Sequence, residues 1–299
     1  MKPPLFRYLV PETLAEARQM LSAHVGSAKI IAGGQSLIPM MNFRVVQPGV
    51  VIDIGRLLEL ETLTQDSQGG LICGARMRHN AMIESPLAAA GWPIIPQALR
   101  HVAHLAIRNR GTIGGSLAHA DPAAEWALLA VLLEAELTLS SVRGDRRVAA
   151  NDFFLGPLTT DLQEDEMIIQ VRFPALPKGH RAVFHEVSRR PGDFAMAACA
   201  VILDFDGQQI RSARVGLMGV MDRAFRLTDL ERALIGQRPS DQLIRECSAD
   251  ICGDLDLMND RQASAQFRRH LARSLVARCL AEASGLQGTS GGQSHAATH

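Results

Sequence analysis

A chain of 299 residues with 47% hydrophobic side chains can fold as one large or two ordinary globular domains. Its 31 Lys and Arg balance 31 Asp and Glu, and this zero net charge gives no basic surface for nucleic acid and no acidic tail. No apolar run reaches the roughly 20 residues that span a bilayer, and the first residues, MKPPLFRYLVPET, lack the apolar core and cleavage site of a signal peptide. A cytoplasmic location is therefore the expectation.

Residues 1 to about 60 read as one unit. PETLAEARQMLSAH predicts a helix with a capping box, Thr13 accepting from the Glu16 N–H and Glu16 reaching back to Thr13. KIIAGG predicts a short strand ending in a turn, and the β-branched GVVIDIG (49–55) a second buried strand.

Residues 61–176 read as a second unit. GLICGA is a strand closed by glycines. ESPLAAAGWPIIPQALRHVAH is helical at both ends, with Pro93 and Pro96 breaking or kinking it. PAAEWALLAVLLEAE is an apolar helix with Pro122 near its first turn. LTLSSV and MIIQVRFP are strands.

PALPKG is a linker, and residues 177–285 form a third unit. RAVFHEVSR, FAMAACAVILDF and RSARVGLMGV are three successive strands, an antiparallel meander with turns at RPGD and DGQQ. Three helices follow in TDLERALIG, SDQLIRECSADI and SAQFRRHLARSLVARCLAEA; Thr228 and Glu231 have capping-box spacing. Residues 286–299, LQGTSGGQSHAATH, lack the apolar content of a core and are expected to be disordered.

Five cysteines (73, 199, 247, 252 and 279) without a C-x-x-C predict reduced thiols and no metal site in this chain. The chemistry points instead to two glycine pairs. In KIIAGGQSL (29–37) and RGTIGGSL (110–117) an apolar run meets Gly-Gly and then a hydroxyl. Glycines permit positive φ, and successive N–H groups can then converge on an anion such as a diphosphate. Ser36, Thr112 and Ser116 add hydroxyls. Neither stretch is a dinucleotide fingerprint or a P-loop, and an ordinary turn fits each equally well. Arg108 and Arg110 read as a solvated face, Asp121 as a helix cap, and His119 as a surface group.

AGGQSLIPMMNFR and IRNRGTIGGSLAHADPAAE closely resemble the two FAD-binding signatures of the flavin subunits of molybdenum hydroxylases, including aerobic carbon monoxide dehydrogenases and, more distantly, xanthine dehydrogenases. VSRRPGDFAMAACAVIL resembles the start of their C-terminal domain. The resemblance runs from about residue 3 to 285. It implies an α+β, PCMH-type FAD-binding domain over 1–176, whose subdomains (about 1–60 and 61–176) each supply one turn. A C-terminal domain over 177–285, a three-stranded antiparallel sheet with helices, would follow.

The resemblance assigns Ile31, Ala32, Gly33, Gly34, Gln35, Ser36 and Leu37 to the first turn along the diphosphate. Thr112, Gly114, Gly115 and Ser116 go to the second. Glu125 matches an acidic residue near the adenosine end, and Ile168 an apolar contact to the cofactor. His185 stands where xanthine dehydrogenases carry a lysine, and His101 or Val102 would lie near the flavin ring. No residue of this chain is expected to be catalytic in itself; His101, His104 and His119 are candidates to polarise the ring. The partners implied are a large molybdopterin-binding subunit, a small subunit with two two-iron two-sulfur clusters, and an external electron acceptor. A self-sufficient FAD-dependent oxidoreductase on the same fold and a non-enzymatic nucleotide-binding or scaffold module are the alternatives.

Overall fold

The computed structural model describes residues 2–286. The expected disordered tail lies outside the described residues except for Leu286.

The chain opens with β1 (Arg7–Leu9), α1 (Leu14–Ala23), β2 (Ala28–Ile31), α2 (Leu37–Asn42) and β3 (Val50–Asp53). The strands form a parallel sheet in the order β1-β3-β2. Parallel neighbours need a crossover, and α1 supplies one, burying Ala17 and Leu21 against Val50 and Ile52. Thr13 caps α1 as expected, accepting from the Glu16 N–H at 3.2 Å. The Glu16 carboxylate, however, takes the N–H of Glu12 rather than that of Thr13, at 2.8 Å.

The next stretch begins with a 3₁₀ turn (Leu58–Leu60), β4 (Leu63–Gln65) and β5 (Leu71–Gly74). Six helices follow: α3 (His79–Ile83), α4 (Pro86–Gly91), α5 (Ile94–Leu99), α6 (Leu105–Arg108), α7 (Ile113–His119) and α8 (Glu125–Leu132). It closes with β6 (Glu136–Ser141), β7 (Gly144–Ala149), α9 (Ala150–Phe153), β8 (Phe154–Gly156), β9 (Thr159–Thr160) and β10 (Met167–Phe173). β4-β5-β10-β6-β7 is an antiparallel sheet. The helix breaks at Trp92–Pro93 as its prolines require, while Pro96 sits in the first turn of α5, where no intrahelical donor is lost. α8 is buried at every position from Trp126 to Leu132.

The C-terminal part contains β11 (Arg181–Ser188), β12 (Ala195–Asp206), β13 (Gln209–Met218), β14 (Phe225–Arg226), α10 (Thr228–Leu234), α11 (Asp241–Ser248) and α12 (Ala265–Ser284). Its antiparallel sheet has four strands, not the expected three. The fourth is only Phe225–Arg226, too short to carry a period. Thr228 is the first residue of α10 rather than its cap. Glu231 makes no capping box because its carboxylate accepts from the Val215 N–H at 2.8 Å and from Arg226.

Both faces of β12 are covered, which explains its unbroken apolar run. Ala198, Ala200 and Ile202 join the core around α8, while Ala197, Cys199, Val201 and Leu203 join that of the C-terminal helices. Gly216 of β13 admits α8: a Cβ there would stand 2.7 Å from Leu128 Cδ1.

Candidate functional site

The first glycine turn follows β2 directly. Gly34 takes φ of +72°, the left-handed region that glycine enters without strain. Gly33 serves a different need. A Cβ on it would lie 2.2 Å from the Arg110 carbonyl oxygen, so this turn presses backbone to backbone on the segment that leads into the second motif. The N–H groups of Gly33, Gly34, Gln35, Ser36 and Leu37 find no acceptor among the described residues, and the Ser36 hydroxyl caps nothing. Gln35 folds its amide back to the Gly33 carbonyl at 2.7 Å. A cleft of about 340 Å³ opens here, lined by Ile31, Gly33, Gly34, Gln35, Ile38 and Arg110. A row of unpaired donors beside a guanidinium is the chemistry of an anion cradle. Arg110 therefore belongs to the candidate site, which its reading as a solvated face missed.

The second glycine pair is not a turn after a strand. Gly114 and Gly115 lie inside α7, and neither has positive φ. The Gly114 N–H donates to the Ala75 carbonyl at 2.9 Å, and its missing Cβ would meet the Ala75 Cβ at 2.7 Å. Thr112 caps α7, its hydroxyl accepting from the Gly115 N–H at 3.1 Å. These donors are spent internally, so the second pair docks α7 on the β5 end and does not form a nest. Gly115 is exposed and Ser116 half-buried.

The loop is fixed from below. Trp126 Nε1 donates to His79 Nδ1 at 2.9 Å, and the His79 N–H donates to the Gly111 carbonyl at 3.1 Å. A Cβ on Gly111 would strike the His79 ring at 2.6 Å. Burial, reinforced by the charge of Arg108, drives the His79 pKa down to about 4, so the imidazole is neutral.

A second cleft, of about 470 Å³, lies between this part and β11. Its lining includes Arg100, His101, His104, Arg108, Glu186 and Ser188. Arg108 holds the near wall by donating to the Val102 and Ala103 carbonyls, both at 2.9 Å. Gly192, with φ of +88°, lets the RPGD turn close on His104; a Cβ would lie 2.7 Å from the His104 ring. The His101 ring packs on Phe184 at 5.2 Å between centroids. Of the three histidines expected as candidates to polarise the ring, His101 and His104 border this cleft, while His119 ends α7, half-buried, apart from its lining.

The buried group in this cleft is Glu186. Its side chain is 3% exposed, Oε1 is 3.8 Å from His101 Nδ1, and Oε2 has no partner among the described residues. Burial pushes its carboxyl up to about 7. Glu125, at the first position of α8, rises to about 8 through burial and then the charge of Glu186. Desolvation, then the charge of His185, lowers the His101 imidazole. The three groups share a region that disfavours charge. Asp121 turns the chain before α8, accepting from the Ala123 N–H at 2.8 Å.

Two expected contacts face elsewhere. Strand side chains alternate, and Phe184 and Glu186 point to the cleft side of β11 while Val183 joins the core of the C-terminal helices. His185 shares the latter face, its Nε2 lying 2.6 Å from Glu282 Oε2 of α12. Ile168 is buried in the core around α8, and an irregularity in β10 after it turns Ile169 to the first parallel sheet. The sequence held the signal for Glu186 in the period of AVFHEVSR, but only packing reveals which face meets the cleft.

Among the described residues no group of three His, Cys, Asp or Glu side chains is gathered for a metal, and no helix is long and apolar enough to cross a membrane.

Residues 4–176 match the family described as the FAD binding domain in molybdopterin dehydrogenase, and residues 182–283 the CO dehydrogenase flavoprotein C-terminal domain. The chain is 38% identical to the nicotine 6-hydroxylase medium subunit of Paenarthrobacter nicotinovorans, over 95% of this chain and 99% of that one. It is 34% identical to the glyceraldehyde dehydrogenase medium chain of Sulfolobus acidocaldarius, over 94% and 99%. The fold superimposes on a chain of the carbon monoxide dehydrogenase of Hydrogenophaga pseudoflava with a TM-score of 0.92 and 33% identity, covering 95% of this chain and 99% of that one.

Proposed function

This chain belongs to the FAD-binding flavoprotein family of the molybdopterin dehydrogenases, and we propose on that premise that it is the medium, electron-transferring subunit of a molybdenum hydroxylase complex. The observation that carries the reading is the first glycine turn, with five backbone donors that have no acceptor among the described residues, beside a cleft lined by Gly33, Gly34, Gln35 and Arg110. A diphosphate would use those donors and be neutralised by that guanidinium. A dinucleotide held there has room to extend to the cleft at His101 and Glu186, because the segment from Leu105 to Arg110 borders both clefts. The Ser36 and Ser116 hydroxyls would complete the grip, and residues 1–176 would act as the FAD domain with 177–285 as the domain that closes the ring end.

Bound FAD would accept electrons from the clusters of a small iron–sulfur subunit, itself fed by a large molybdopterin subunit, and release them to an external acceptor. The chain's own residues bind, orient and desolvate. Arg108 and Gly192 hold the cleft walls in place, and the buried Glu186 sets the polarity of its lining, with Glu125 of α8 near enough to feel its charge. The complex would work in the cytoplasm.

The experiment is to recover the tagged chain from its own cells under native conditions. Two further chains, with stoichiometric molybdenum and iron, should accompany it. A solitary yellow chain that an organic substrate bleaches without partners would replace this reading with that of a self-sufficient flavoenzyme.

A further inference from the structure

Electrons that arrive from iron–sulfur clusters bring no proton, yet two-electron reduction of a flavin takes up at least one. A carboxyl group in the ring cleft therefore has a task that binding leaves unassigned. We infer that Glu186, with His101 as its link to water, is the group that exchanges this proton with the flavin. The inference rests on the reading that the ring occupies the cleft at His101 and Glu186.

The geometry points to Glu186 in three ways. Its side chain is 3% exposed, it lines the cleft, and its buried Oε2 has no partner among the described residues, so no protein group competes for a proton on that carboxyl. The other oxygen is 3.8 Å from His101 Nδ1, and the His101 side chain is 42% exposed, giving a path from solvent. The surrounding charges are Arg100, His104 and Arg108 across the cleft, Glu125 from α8 with Asp121 behind it, and His185 on the far face of β11, tied to Glu282. Burial raises the Glu186 carboxyl to about 7, so it exchanges its proton near neutral pH, whereas an ordinary glutamate would already have lost its proton.

In the step, two electrons from the clusters enter the ring. The Glu186 carboxyl O–H bond would break as a ring N–H bond formed, leaving a carboxylate. A water proton passed through His101 restores the acid, and the reverse transfers follow when the acceptor removes the electrons.

The test is a spectroelectrochemical titration of the flavin potential against pH in the purified holo-complex. Reduced flavin with one added proton is anionic and raises the affinity of a nearby carboxyl for its proton. The wild-type potential should therefore fall more steeply with pH across a window near neutrality, and Glu186→Gln should lose that steep segment while its flavin content stays unchanged. A Glu186→Gln complex with full flavin and the wild-type curve overturns the inference. Should Glu186→Gln not retain flavin, Glu186→Asp decides: a shifted steep segment supports the inference, and an unshifted one overturns it. Absence of flavin from the wild-type complex would instead defeat the underlying site assignment, so the two failures are distinguishable.

Discussion

Gly33 and Gly114 sit in motifs that look alike and perform different tasks. Gly33 lets two backbones meet at the mouth of the first cleft, whereas Gly114 lets α7 lie on Ala75. Gly33→Val should therefore strip flavin from a folded chain, because the Arg110 segment must move by more than a side chain can absorb. Gly114→Val should act first on stability, by about 1–3 kcal/mol for overpacking at a buried backbone contact. Flavin content beside a urea midpoint separates the two, and equal flavin loss at unchanged stability in both would refute the distinction. The motif was legible in the sequence; the division of labour was not, since it depends on which N–H groups already have acceptors.

His79 adds a pH dependence that the sequence did not announce. Its folded pKa of about 4 lies below the ordinary 6.5, so the unfolded chain binds the extra proton between those values. Its contribution to stability is complete above pH 6.5 and is lost as pH falls toward 4. His79→Gln should flatten that part of the stability curve relative to wild type. An unchanged difference between pH 7 and pH 4.5 would mean that the ring is charged in the fold.

At the scale of elements, the long segments were readable and the short ones were not. α1, β3, α8, β12 and α12 follow from apolar period and caps, whereas β14 and the 3₁₀ turn are too brief to have one. β11 was readable as a strand, yet the role given to His185 required knowing which face meets the cleft. Period 2 divides the side chains into two sets, and only the packing of β11 against α5 and α12 assigns them. The α10 boundary failed for a related reason, because Glu231 is taken by Arg226 and Val215 from other elements.

α12 is held by a buried charge that sequence period cannot reveal. Arg268 is 1% exposed, donates to the Met196 and Gly219 carbonyls, and pairs with both Asp260 carboxylate oxygens at 2.8 Å. Arg268→Ala would leave two carbonyls and a carboxylate without their donor and open a cavity. A loss of about 3–5 kcal/mol is expected in chemical denaturation. A loss below about 1 kcal/mol would show that water replaces the guanidinium there.

On the scale of the whole molecule, three cores adjoin: one around α8, one among the C-terminal helices on the other face of β12, and a small one under the first parallel sheet. The core around α8 draws on residues from Leu71 to Phe173 and on the near face of the C-terminal sheet, and Arg214 and Arg226 reach from that sheet to Glu134 at 2.8 and 2.5 Å. The first parallel sheet has its own small core, closed by Leu57, Leu60 and Met167. Arg18 ties it to the rest by donating to Ser140 at 2.6 Å and pairing with Asp145 at 2.9 Å. A cofactor gripped by the first turn and by the Arg110 segment would bridge the two bodies, and its removal should loosen the smaller one.

The central claim, that this chain holds FAD non-covalently through its first glycine turn, is tested most directly by flavin release. The purified chain is denatured, filtered, and the absorbance of filtrate and retained polypeptide is read, with Gly33→Val prepared in parallel. The expected result is one equivalent of FAD in the wild-type filtrate, no colour on the polypeptide, and no flavin from folded Gly33→Val. A colourless wild-type chain, flavin retained on the denatured polypeptide, or full occupancy in Gly33→Val would contradict the account.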